Sequence, residues 1–140
     1  MLPKSRKRPV PKTRKSGSGR SAMAGFRRSA AVLRKYALGF PDAYEEFPWG
    51  ERVIKVNRRI FVFMHGSSQE LRVTVKLPRS YGAALLASFA RPTGYGLGKS
   101  GWVSAAFQNR EHAPLDILKT WIEESYRAIA PKRLSKMLDE

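Results

Sequence analysis

The chain has 140 residues, enough for one domain around one core but not for a second. It carries 27 Lys and Arg against 11 Asp and Glu, a formal net charge of +16, and that balance favours polyanionic partners such as nucleic acid. The absence of cysteine excludes disulfides, thiolate metal sites and cysteine nucleophiles, and the longest apolar runs, such as Ile60 to Met64, fall far short of the ~20 residues of a membrane-spanning helix.

Residues 1–23 read as a disordered basic tail. Residues 1–20 hold eight of the basic residues and no acidic one, three prolines interrupt them, and a Gly/Ser-rich stretch follows. Such a segment cannot bury enough apolar area to offset its ordering entropy. Lys4, Arg6, Lys7, Arg8, Lys12, Arg14 and Lys15 suit a nucleic-acid arm or a nuclear-import signal. A solubilising extension, or a segment upstream of a start at Met23, fits the same composition. No apolar run follows the basic start, so a secretory signal is not expected and the assigned compartment is the cytoplasm. Residues 24–140 are assigned to a single domain, which still carries a net charge of +8 beyond residue 20.

In that domain Phe26, Ala30, Leu33, Ala37 and Phe40 share one face of a first helix, with Arg27, Arg28, Arg34 and Lys35 elsewhere on the wheel. Gly39 and Pro41 stop it, the glycine as a left-handed cap. Trp49-Gly50 turns the chain, with Trp49 a packing anchor. Val53 to Val56 and Ile60 to Met64 read as two strands joined through Asn57-Arg58. Leu71, Val73, Val75 and Leu77 alternate with Arg72, Thr74 and Lys76, the period of a strand with one wet, basic face. A second helix is expected from Ser80 as N-cap through Tyr81, Leu85 and Phe89, ending at Arg91-Pro92. Trp102 to Phe107 is a late strand. Leu115, Leu118, Ile122, Tyr126 and Ile129 mark a third helix, and Pro131 ends it or opens a last turn through Leu134, Met137 and Leu138.

Two near-motifs fall at residues 93–102. Gly96, Gly98 and Gly101 satisfy G-x-G-x-x-G, and Gly98-Lys99-Ser100 imitates the end of a phosphate-binding loop. Both motifs need a strand before and a helix after, so that backbone N–H groups meet the phosphate; here the order is reversed, and Thr93 stands where the loop requires glycine. Glu45, Glu46 and Glu51 have no histidine or second acidic cluster at ligand spacing, and are read as caps or as partners of Arg52 or Arg28. His65 and His112 sit by turns with no triad spacing, and Trp121 and Tyr126 read as packing. No catalytic residue, metal or cofactor is expected.

The ordered set of Pro41 to Glu51, Lys55 to Phe61, Leu71 to Leu77, Gly94 to Trp102 and Ser125-Tyr126 resembles the MmcQ/YjbR family, small proteins described as predicted DNA-binding, over roughly residues 25 to 130. The resemblance implies an α+β fold of the secretion-chaperone-like kind: a two-layer sandwich, antiparallel sheet with helices on one face, in the order α-β-β-β-α-β-β-α. It also places matching residues at Tyr95, Lys99 and Trp102.

The expected function is non-enzymatic nucleic-acid binding of low specificity, with DNA favoured over RNA. Arg52, Lys55, Arg72 and Lys76 would supply the sheet face, and Tyr95, Lys99 and Trp102 a stacking and phosphate-binding loop. A protein-interaction adaptor or chaperone-like module, with a protein partner or a homodimer, is the alternative. An enzyme acting on a small phosphorylated ligand rests only on the glycine loop.

Overall fold

The computed structural model describes the backbone of residues 17–140 and the side chains from Phe26 onward apart from Trp49. The tail cations Lys4 to Lys15 and the anchoring role expected of Trp49 lie outside the described residues. Helix α1 runs from Gly17 to Leu38, so its backbone begins upstream of Phe26, where the periodic apolar face starts. Phe26, Ala30, Leu33 and Ala37 are buried. Gly39 ends the helix without a left-handed φ; its N–H bonds Lys35 and Tyr36 carbonyls, and Asp42 instead takes the positive φ, +61°. A short acidic side chain tolerates that conformation better than a branched one.

Four strands follow: β1 (Tyr44–Glu46), β2 (Arg52–Val56), β3 (Arg59–Gly66) and β4 (Glu70–Lys76). A 3₁₀ turn, Pro48–Gly50, separates the first two, and Gly50 at φ +77° makes it possible. Then come α2 (Tyr81–Ala84), β5 (Ala90–Pro92), a 3₁₀ turn at Leu97–Ser100, β6 (Trp102–Gln108), α3 (Leu115–Ile129), α4 (Lys132–Ser135) and a final 3₁₀ turn, Lys136–Asp139. The six strands form one antiparallel sheet in the order β1-β2-β3-β4-β6-β5. The fold is α+β, as the sequence implies, with β1 added before the three expected strands.

The second helix is shorter than its apolar spacing predicts. Ala87 and Ala90 close turns after α2, and Arg91-Pro92 becomes an edge strand rather than a helix stop. Pro92 has no N–H to donate, which suits the edge of a sheet. Ser80 stands at the N-cap position but makes no capping bond. Its hydroxyl donates to Glu124 Oε1 at 2.6 Å, while the Arg79 and Ser80 N–H groups donate to Glu124 Oε2 at 2.8 and 3.0 Å. The Glu124 carboxylate of α3 thus ties the Arg79-Ser80 corner to that helix.

Helices α1 and α3 pack on β3 and β4 from one side. Register fixes which side chains they cover: Met64 faces Val73, Val62 faces Val75 and Ile54 faces Val62, all buried. Gly66 is required there, because an added Cβ would come 2.4 Å from the Ala30 Cβ of α1. A bulge in the β2–β3 pairing, between Ile54 and Lys55, adds Phe61 to the same buried side as Val62. Phe61 then meets Tyr126 edge-on at 5.2 Å between ring centres, and Phe40 stacks on Tyr126 at 4.7 Å. Among the described residues no helix is long and apolar enough to cross a membrane.

Candidate nucleic-acid interface

Strand alternation sends the remaining side chains to the sheet face away from α1 and α3. Across its middle run Glu46, Val53, Phe63, Thr74, Ser104 and Arg91, each opposite the next. Flanking rows pair Lys55 with Tyr44 and Ile60, Lys76 with Trp102, and Arg72 with His65 and Ala106. Ser104 links Thr74 and Thr93 through hydroxyl contacts of 3.0 and 2.9 Å, so the β4–β6 part of this row is polar but uncharged, while Val53 and Phe63 make its β2–β3 part apolar. Asp139 pairs with Arg127, which holds the last turn against α3. Arg72, Arg91 and Ala106 are exposed.

The expected cations divide. Lys55, Arg72 and Lys76 share the open face. Arg52 does not: it stands opposite buried Met64, on the helix side. Its Nε lies 2.8 Å from Glu45 Oε2 without the alignment of a hydrogen bond, and its guanidinium sits 5.4 Å from the Phe47 ring centre. Residues 52 and 55 are three apart, and an odd separation in a strand means opposite faces. Alternation could have separated them, but Val53, Ile54 and Val56 are all apolar and hide the parity.

Glu45 is held chiefly by Arg34, not by the anticipated Arg28. Arg34 Nε and Nη2 donate to the two carboxylate oxygens at 2.8 Å each. This bidentate hydrogen bonding is the main cause that holds the Glu45 carboxyl below its ordinary pKa; burial opposes it, and the charges of Arg34 and Arg52 assist. A carboxylate with a lowered folded pKa contributes stability that is complete above its ordinary value, 4.5, and is lost as pH falls through the lowered one. Thermal melts of wild type and Glu45→Gln between pH 7 and pH 2 are expected to show a stability gap that closes as the pH drops. A gap of constant size would remove Glu45 as the titrating group.

The loop residues also separate. Trp102 is 8% exposed and meets Phe63 edge-on at 5.7 Å between ring centres, so it is a floor rather than a stacking platform. Tyr95 is fully exposed. It occupies, with Gly96, the centre of a turn closed by Leu97 N–H to the Gly94 carbonyl, at φ +59° and +79°. Lys99 follows on the exposed 3₁₀ turn, and Gly98 packs so closely on Pro92 that an added Cβ would lie 2.9 Å from the proline Cβ.

Arg58 and Arg59 are the cations that sequence reasoning missed. The two-residue connection Asn57-Arg58 has both φ angles positive, +52° and +68°, the signature of a type I′ hairpin turn. An arginine there costs roughly 1–2 kcal/mol relative to a right-handed conformation, which glycine would not incur. The Asn-Arg dipeptide between two strands was the available signal. The turn brings Arg58 and Arg59 beside Lys55 and Lys76 around a hollow of about 360 Å³. Ile60, Phe63, Leu97, Trp102 and Ile129 form its apolar lining. Lys55 Nζ engages Glu46 at 3.1 Å, and Arg72 lies 3.7 Å from Glu70. Lys76, Arg58 and Arg59 have no ion-pair partner among the described residues.

A protein-family model described as YjbR matches residues 38–128, well over half of the chain. No curated protein matches it.

Proposed function

The chain belongs to the YjbR family, and on that premise we propose that it is a non-enzymatic nucleic-acid-binding module. The observation that supports this most is the uncovered sheet face, where Lys76, Arg72 and Arg91 stand with Arg58 and Arg59 at the adjoining β2–β3 turn, against two carboxylates among the described residues, Glu46 and Glu70. A polyanion laid on that surface exchanges its condensed counterions for fixed cations, which requires no built catalytic group. The hydroxyls of Thr74, Thr93 and Ser104 between the cations can donate to phosphate or sugar oxygens without reading sequence. Binding is therefore of low specificity, DNA is the favoured partner, and the basic tail lengthens the electrostatic reach.

The tail must be separated from the domain in any test. Because α1 starts at Gly17, the shortened chain should begin there rather than at Met23, which would cut the helix. If about four phosphates are neutralised, raising salt from 50 to 200 mM is expected to weaken duplex binding on the order of 100-fold. The shortened chain should keep a measurable part of that salt dependence, and Arg72→Ala with Lys76→Ala should flatten it. A shortened chain that shifts no nucleic acid at low salt would confine binding to the tail. A partner retained on the full chain after nuclease treatment would favour the adaptor reading instead.

A further inference from the structure

The hollow beside the β2–β3 turn has a composition that bare phosphate binding does not explain. Three cations without an ion-pair partner among the described residues, Arg58, Arg59 and Lys76, stand around a floor of apolar side chains that includes Phe63 and Trp102. An apolar floor cannot solvate an isolated anion, so the complementary ligand joins an anion to a flat apolar group. At about 360 Å³ the hollow lies near the low end of small-ligand sites, which span roughly 300–1,000 Å³. A duplex, whose bases are stacked and paired, presents no such group to it.

The backbone provides a second, independent pointer. Two turns border the hollow: one contains Arg58, and the other delivers Leu97 immediately after Tyr95-Gly96. Each holds a large non-glycine residue, Arg58 or Tyr95, in the left-handed region that favours glycine. Strain kept at an exposed position points to a use for the side chain, here a cation and an aromatic ring. We infer that the hollow receives one unstacked nucleotide of a single strand, with its phosphate on Arg58, Arg59 and Lys76 and its base against Phe63 under the Tyr95 ring. The inference rests on the nucleic-acid reading above and names its substrate class: single strands, flaps and frayed ends, in preference to blunt duplex. Base stacking on an aromatic side chain is sequence-tolerant, which agrees with low specificity.

The test uses the full chain and three fluorescent probes of equal length: a single-stranded oligonucleotide, a blunt duplex and a duplex with a single-stranded flap. Anisotropy titrations at one salt concentration are expected to give at least tenfold tighter binding to the single strand and the flap than to the duplex. The tail meets all three probes. Arg58→Gly and Tyr95→Gly replace each residue by the one its backbone favours, so both are expected to raise the Tm by roughly 4 °C. Each should weaken single-strand binding about tenfold and duplex binding less than twofold. Loss of binding by misfolding is thereby separated from loss of the site. Variants that gain stability but keep single-strand affinity, or that lose both probes equally, overturn the hollow and leave the sheet-face reading standing. A wild-type chain that binds none of the probes at low salt overturns both.

Discussion

Tyr126→Ala is expected to cost about 4 kcal/mol of unfolding free energy, a large share of the 5–15 kcal/mol typical of a domain. Tyr126 is fully buried and joins three parts of the chain. Its ring stacks on Phe40 after α1 and meets Phe61 in the β3 bulge, and its hydroxyl donates to the Pro41 carbonyl at 2.7 Å. Removing the ring leaves a cavity between helix and sheet and frees the corner that turns α1 into β1. Burial, with help from Asp42, pushes the phenol pKa up, so the hydroxyl remains a donor through the physiological range. Tyr126→Phe keeps the ring and is expected to cost only about 1 kcal/mol, the net worth of one hydrogen bond. Urea unfolding followed by circular dichroism separates the two. An alanine variant as stable as the phenylalanine one would show that the ring contributes nothing beyond its hydroxyl.

Ser125→Ala is the second large effect, about 3 kcal/mol, although it removes one oxygen atom. Where β3 bulges, Phe61 and Lys76 do not form a register pair; their ladder stops at Val62 and Val75. The Ser125 hydroxyl fills the gap, accepting from Lys76 N–H at 2.9 Å and donating to the Phe61 carbonyl at 2.6 Å. Ser125 is fully buried, so water cannot replace it, and alanine would leave a donor and an acceptor unsatisfied. Hydrogen exchange supplies the local readout: the Lys76 amide should lose protection in Ser125→Ala and keep it in wild type. If stability and protection are both unchanged, the strand ends have closed on each other directly and the serine is dispensable. The same contact holds the backbone of Lys76, so the substitution should also loosen the hollow that Lys76 helps to line.

The Ser125-Tyr126 pair illustrates what could be read in advance. The two residues were visible as a family motif and as part of an apolar helix face, but their partners lie 64 and 85 residues away in the chain. Helix α3 and strand β4 were legible because each repeats its apolar positions over seven residues or more at one period. Strands β1 and β5 were not, because three residues make no pattern; each exists through its pairing with a neighbour. Helix α2 was overextended because Tyr81, Leu85 and Phe89 keep helical spacing, yet all three are partly buried from a chain that turns after Ala84.

The sites divide in the same way. Arg72 and Lys76 followed from alternation along β4, whereas Lys55 and Arg52 were grouped only by lying on a neighbouring strand, and Arg52 was misplaced because strand β2 is apolar on both faces. The grouping of Tyr95, Lys99 and Trp102 came from proximity in sequence, and the structure keeps Tyr95 and Lys99 at the surface while Trp102 goes under Phe63.

By itself, the sequence determined the surplus of positive charge, the α+β class and the family, since these depend on composition, on periodicities shorter than one element and on the order of short motifs. Only the tertiary structure decided which cations share a face, which carboxylates neutralise them, and that Arg58 and Arg59 join Lys76 over an apolar floor. Those outcomes depend on register, a bulge and two left-handed turns, and a shift of one residue in any of them would move every affected side chain to the other side of the sheet.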